Sequence, residues 1–118
     1  MKNILIIGCG LLGSSLLRRI KKKQLAKKLF IYEKSKSNIS KIKKLKLPGT
    51  IVKTLKEGVI NSDLIIFCTP MSEYKRLILK INSFISPMTL ITDIGSSKIE
   101  SSKIIKKFLR KEIGRAHV

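Results

Sequence analysis

Short apolar runs of strand length alternate along this chain with basic segments patterned as helices. The runs fall at residues 4–7 (ILII), 29–33 (LFIYE), 50–52 (TIV), 64–68 (LIIFC) and 89–93 (TLITD). Continuous, β-branched runs of this length suit strands buried on both faces. Between them, residues 11–23 carry Leu12, Leu16, Leu17 and Ile20 on one side, with lysines gathered at the C-terminal end, where a helix dipole favours cations. Further helical patterns cover residues 38–45, 55–60, 70–81 and 96–110, with Pro70 expected in the first turn of its helix. Strand and helix in strict alternation predict an α/β fold, with a parallel sheet, right-handed crossovers and helices on both faces.

Composition narrows what such a fold is for. At 118 residues there is room for one domain, and 43% hydrophobic residues argue for a globular chain with a largely aliphatic core, since only 5% are aromatic. The balance of 26 Lys+Arg against 7 Asp+Glu, a net charge of +19, attracts anions of every kind. The basic residues are scattered and are not interleaved with stacking aromatics, so nucleic acid is not the expected partner. Cys9 and Cys68 have no metal-ligand spacing, which predicts no metal site and fits a reducing compartment. Glycines interrupt the first apolar run before it reaches the length of a signal peptide or membrane span. A soluble, cytoplasmic protein that does not engage membranes is expected.

The stretch ILIIGCGLLGSSLL, residues 4–17, places Gly8, Gly10 and Gly13 between a strand and a helix. That is the context in which glycines bind a dinucleotide. The first permits the tight turn, the second admits a pyrophosphate to the backbone, and the third lets helix and strand pack closely. Leu11 and Leu12 would open the helix whose leading amides and dipole favour the phosphates. The mechanism also requires an acidic residue at the tip of the second strand, and Glu33 stands 33 − 13 = 20 positions after the third glycine. A carboxylate there accepts hydrogen bonds from ribose hydroxyls and repels a 2′-phosphate, which favours NAD. Lys34 and Lys36 could hold such a phosphate, so NADP stays open. A surface carboxylate among lysines is the alternative for Glu33. Thr69, Pro70, Gly95 and Ser96 fall at the carboxyl ends of the fourth and fifth strands, where open parallel sheets bind ligands. Ser96 or Ser97 would equally serve as a helix N-cap. The expected fold class is a Rossmann-type doubly wound parallel sheet, incomplete in this chain.

Taken together, IIGCGLLGSSL, DLIIFCTPMSEY and LITDIGSSK resemble the nucleotide-binding half of the prephenate/arogenate dehydrogenase family, whose usual forms are GxGLIGxSLA, DLVxLATPV and VTDVGSVK. The resemblance implies an NAD(P)-dependent oxidative decarboxylation of prephenate or arogenate in tyrosine biosynthesis. By position it implies cofactor contacts from Gly8, Gly10, Leu11, Leu12, Gly13, Glu33, Thr69, Pro70 and Gly95. Ser96 is implied as a catalytic residue that bonds the substrate hydroxyl or orients a downstream His. It further implies a helical second domain carrying substrate-binding arginines and homodimer contacts, which these residues do not include. Alone, the chain is expected to show negligible turnover and at best weak dinucleotide binding.

The only histidine, His117, lies near the family's Ser-to-His spacing but is not followed by Pro. The ending EIGRAHV, moreover, can be back-translated, apart from its first base, to a widely used sequencing-adapter oligonucleotide. Residues 1–111 are therefore expected to form the NAD(P)-binding domain, and residues 112–118 to be a non-native tail. The rival readings are another Rossmann dehydrogenase, of the β-hydroxyacid or pyrroline-carboxylate type, and a non-catalytic basic module that binds nucleic acid.

Overall fold

A computed structural model describes residues 2–8 and 10–93. The expected helix over residues 96–110, Gly95, Ser96, His117 and the tail at 112–118 lie outside the described residues.

The chain runs β1 (Lys2–Ile7), α1 (Leu11–Lys22), β2 (Ala26–Tyr32), α2 (Lys36–Lys44), β3 (Thr50–Ile51), α3 (Leu55–Ile60), β4 (Leu64–Phe67), a 3-10 turn (Met71–Glu73), α4 (Tyr74–Ile81) and β5 (Leu90–Asp93). The strands form a sheet in the order β3-β2-β1-β4-β5, and every pairing is parallel. The chain therefore winds outward from β1 in one direction, then returns and winds outward in the other. The strand order reverses between β1 and β4, which opens a crevice beyond their carboxyl ends.

Burial on both sides follows from the two-residue alternation of each strand. Leu5, Ile7, Ile65, Phe67 and Ile91 face a core closed by Leu55 and Val59 of α3 and by Tyr74, Leu77, Ile78 and Ile81 of α4. Ile4, Ile6, Ile31 and Ile66 face a second core closed by Leu17 and Ile20 of α1 and by Ile42 of α2. This is the doubly wound arrangement the alternation predicted. Close packing on the first side depends on Gly58: a Cβ there would come 2.9 Å from Leu5 Cδ1 and 3.1 Å from Val52 Cγ2. Among the described residues, no helix is long and apolar enough to cross a membrane.

Most boundaries fall within one residue of the sequence expectation, β1 begins two residues early at Lys2, and three other shifts have a clear local reason. β2 begins at Ala26 rather than at residue 29, because Lys27 and Lys28 extend the strand while remaining exposed to water. α2 begins at Lys36 rather than at residue 38, because the Ser35 hydroxyl caps it by accepting the Asn38 amide at 3.3 Å. Pro70 is not in the first turn of an α-helix: its carbonyl accepts the Glu73 amide at 2.9 Å in a separate 3-10 turn, and α4 starts only at Tyr74.

Asp63 stitches the amino end of the sheet. Its carboxylate accepts the Asn3 amide at 2.9 Å, its own amide donates to the Asn3 carbonyl at 2.8 Å, and its carbonyl accepts the Leu90 amide at 2.9 Å. Asp63→Ala is expected to lower stability by about 1.5 kcal/mol, the lower end for a charge-assisted bond to a main-chain amide, as read from the urea midpoint.

Candidate functional site

The crevice at the strand-order reversal has a volume of about 410 Å³ and is bordered by the ends of β1, β2 and β4 and by the start of α4. Its floor is the turn after β1. The Ile7 carbonyl accepts the Cys68 amide at 2.8 Å, and the Gly8 amide donates to the Tyr32 carbonyl at 2.8 Å, so the turn is tied to the neighbouring strand ends on both sides. Gly8 sits at φ +84°, a left-handed conformation that glycine adopts without strain. The space is also closed there, since a Cβ would lie 2.5 Å from Thr69 Cγ2.

Gly10 is the N-cap of α1, with extended backbone at φ −92° and ψ −150°. A Cβ there would meet none of the described residues within 4 Å. Among the described residues its lack of a side chain serves no packing need, and it leaves the crevice open at this point. α1 has neither a side-chain cap nor an acid in its first turn. Its leading amides and the positive end of its dipole thus remain available to an anion. Leu11 and Leu12 form the first helical residues, and Gly13 is buried in the same turn.

Glu33 follows β2 immediately and borders the crevice together with Gly8 and Gly10. Its Oε2 accepts the Ser35 amide at 3.1 Å, which fixes the carboxylate at the head of α2. Across from it stand Thr69 and Pro70, which carry the chain from β4 toward α4. Thr69 Oγ1 is buried and has no hydrogen-bond partner among the described residues. A buried hydroxyl left in that state is costly, and a crevice is where a ligand would supply the missing partner.

The structure thus brings Gly8, Gly10, Glu33, Thr69 and Pro70 to one crevice, with Leu11, Leu12 and Gly13 in the helix that begins beside it. Lys36, weighed above as a phosphate ligand, is exposed at the start of α2 and is not among the crevice's lining residues. Lys34 does line the crevice, but Glu73 engages it: Lys34 Nζ lies 3.1 Å from Glu73 Oε1, and the same oxygen accepts from the Arg76 guanidinium. The Arg76 guanidinium, and after it the Lys34 ammonium, holds the Glu73 carboxyl below its ordinary value of 4.5.

Reading the sequence alone missed Glu73 and Arg76. Their i, i+3 spacing was a visible signal of pairing, but nothing local connects them with Lys34, 39 positions before Glu73.

A family model for the prephenate dehydrogenase nucleotide-binding domain matches residues 16–117. Cyclohexadienyl dehydrogenase of Zymomonas mobilis is 27% identical over 112 residues, covering 95% of this chain and 38% of that protein. Prephenate dehydrogenase of A. aeolicus, solved in complex with hydroxyphenyl propionate and NAD+, has a TM-score of 0.80 at 22% identity, over 95% of this chain and 40% of that one. Synechocystis arogenate dehydrogenase has a TM-score of 0.75 at 22% identity, over 90% and 37% of the two chains. Those structures share the fold, and this chain spans about two fifths of the length of such relatives. With the matched segment covering most of the sequence, the chain belongs to the prephenate dehydrogenase family, in its nucleotide-binding domain.

Proposed function

We propose that this chain is the dinucleotide-binding part of an NAD-dependent dehydrogenase that oxidatively decarboxylates prephenate or arogenate, a step of tyrosine biosynthesis. The observation that carries the reading is convergence on one crevice. The Gly8 turn, the uncapped start of α1, the Glu33 carboxylate and the Thr69 hydroxyl, which has no partner among the described residues, all meet there.

These residues fit an anionic dinucleotide. Gly8 and Gly10 leave bare main chain for a diphosphate to approach, and the first amides of α1 donate to it. Glu33 accepts hydrogen bonds from ribose hydroxyls, and its charge favours NAD over NADP. Thr69 supplies a hydroxyl and Pro70 an apolar wall to the rest of the cofactor. When bound, the nicotinamide supplies hydride acceptance, as the substrate's hydroxyl-bearing ring carbon is oxidised and CO₂ leaves.

On the substrate side, the reading assigns Gly95 a close backbone approach to the cofactor. It assigns Ser96 a hydrogen bond to the substrate hydroxyl or to a histidine acting as general base on that hydroxyl. The substrate pocket and homodimer contacts are assigned to a second domain, and the working enzyme to the cytoplasm.

Titration of NAD+ into the ¹⁵N-labelled chain, followed by chemical-shift perturbation, tests the proposal. Saturable shifts at residues 8–13, Glu33 and Thr69 are expected even where affinity is only millimolar. Duplex DNA titrated at two salt concentrations is the control: steeply salt-dependent DNA binding without any NAD+ response would overturn the reading in favour of a basic nucleic-acid module.

Gly10→Val sharpens the test. A Cβ there meets none of the described residues within 4 Å, so the stability loss should be about 1 kcal/mol, the scale of replacing an N-cap glycine by a β-branched residue. NAD+ affinity should fall at least about tenfold as the side chain occupies the anion's approach.

A further inference from the structure

We propose that Glu73 sets the dinucleotide preference of this chain: it clasps Lys34 and Arg76 beside Glu33, and the four groups together leave this end of the crevice without net charge, so that an unphosphorylated ribose is accepted over a 2′-phosphorylated one. The inference rests on the crevice being the dinucleotide site and adds a second determinant to the Glu33 carboxylate.

The clasp joins two segments far apart in sequence. Lys34 directly follows Glu33 in the loop after β2, while Glu73 and Arg76 stand at the end of the 3-10 turn and in α4. All four side chains border the same crevice. A single carboxylate oxygen, Glu73 Oε1, takes both cations, Lys34 at 3.1 Å and Arg76 at hydrogen-bond contact. The side chains of Lys34, Arg76 and Glu73 remain 63%, 48% and 32% exposed, so an incoming ligand can reach them and salt can screen them.

Two cations balance two carboxylates, Glu33 and Glu73, which leaves this end of the crevice without net charge. A ribose 2′-hydroxyl asks only for an acceptor, and Glu33 supplies one. A 2′-phosphate brings roughly −1.5 to −2 charges and needs free cationic donors. To obtain them it must displace Glu73, a carboxylate ionised at neutral pH, from both partners. Without the Glu73 charge, Lys34 and Arg76 become available and the local balance turns positive. Lys34 thus stands where a phosphate-binding lysine would, but its charge is already spoken for.

The experiment compares NAD+ and NADP+ dissociation constants for the wild-type chain and for Glu73→Gln, by chemical-shift titration in low salt. The ratio is expected to move toward NADP+ by about tenfold, the scale of releasing two exposed cations to one dianionic group. The gain should collapse near 1 M salt, where the Debye length is about 3 Å. Adding Lys34→Gln and Arg76→Gln to Glu73→Gln should return the ratio toward wild type, which separates released cations from a mere change of loop shape. A wild type that binds NAD+ while Glu73→Gln leaves the ratio unchanged overturns the clasp and spares the dinucleotide reading. A wild type already preferring NADP+ likewise overturns the clasp alone. A wild type that answers to neither nucleotide overturns both.

Discussion

Replacing Gly8 by alanine is expected to lower stability by about 3 kcal/mol, the sum of two separate penalties. The first is conformational: at φ +84° an L side chain costs about 1–2 kcal/mol whatever its surroundings. The second is spatial. The new Cβ would stand 2.5 Å from Thr69 Cγ2, 3.3 Å from the Thr69 amide nitrogen and 3.4 Å from the Cys68 carbonyl carbon. Two of those neighbours are main chain, and the turn itself is tied at 2.8 Å to Tyr32 on one side, with Ile7 tied to Cys68 at the same distance on the other. It cannot shift without breaking a ladder bond. Urea unfolding of Gly8→Ala measures the total. Gly8→Ala combined with Thr69→Ser, which deletes the clashing methyl, should recover most of the spatial part and leave the conformational part and the main-chain contacts. The pair is therefore non-additive. A loss below about 1 kcal/mol in Gly8→Ala would contradict the geometry of this turn.

Phe67→Ala is expected to cost about 4 kcal/mol, within the range for removing a fully buried aromatic ring. Phe67 has no exposed surface, and its ring meets that of Tyr74 edge-on, with centroids 5.1 Å apart and planes at 73°. In a core otherwise built of Ile, Leu and Val, these two rings are the largest buried side chains. The consequence reaches the crevice. Phe67 ends β4 two residues before Thr69, and Tyr74 opens α4 one residue after Glu73. A cavity at Phe67 loosens the packing that seats α4, so the Arg76 and Glu73 resonances should shift along with the stability loss. Leu79→Ala on the solvent side of α4, where Leu79 is 53% exposed, is the control and should change stability by less than about 0.5 kcal/mol. A Phe67→Ala loss below about 1.5 kcal/mol would mean that the aliphatic neighbours collapse into the space.

Much of the architecture was legible because buried parallel strands have no polar face and must read as continuous apolar runs. ILII, LIIFC and TLITD all lie at or within a residue or two of β1, β4 and β5. Boundaries slipped where the signal was not burial. β2 extends backward through Lys27 and Lys28 because a ladder can continue into water without apolar side chains. The start of α4 differs because Pro70 suits a 3-10 turn as readily as an α-helical first turn, and sequence alone does not choose between them.

By itself, the sequence determined the alternation of strand and helix, the glycine turn after β1 and the placing of Glu33 at the tip of β2. Each of these is a local matter of period, backbone freedom or distance along the chain. Tertiary structure decided what surrounds them: the strand order that sets β4 against β1, the Thr69 methyl that closes on Gly8, and the meeting of Lys34 with Glu73 and Arg76. The reason is that two exposed charges 39 positions apart leave no periodic trace in a sequence. Their attraction becomes specific only when the packed sheet has brought the loops that carry them to opposite sides of one crevice.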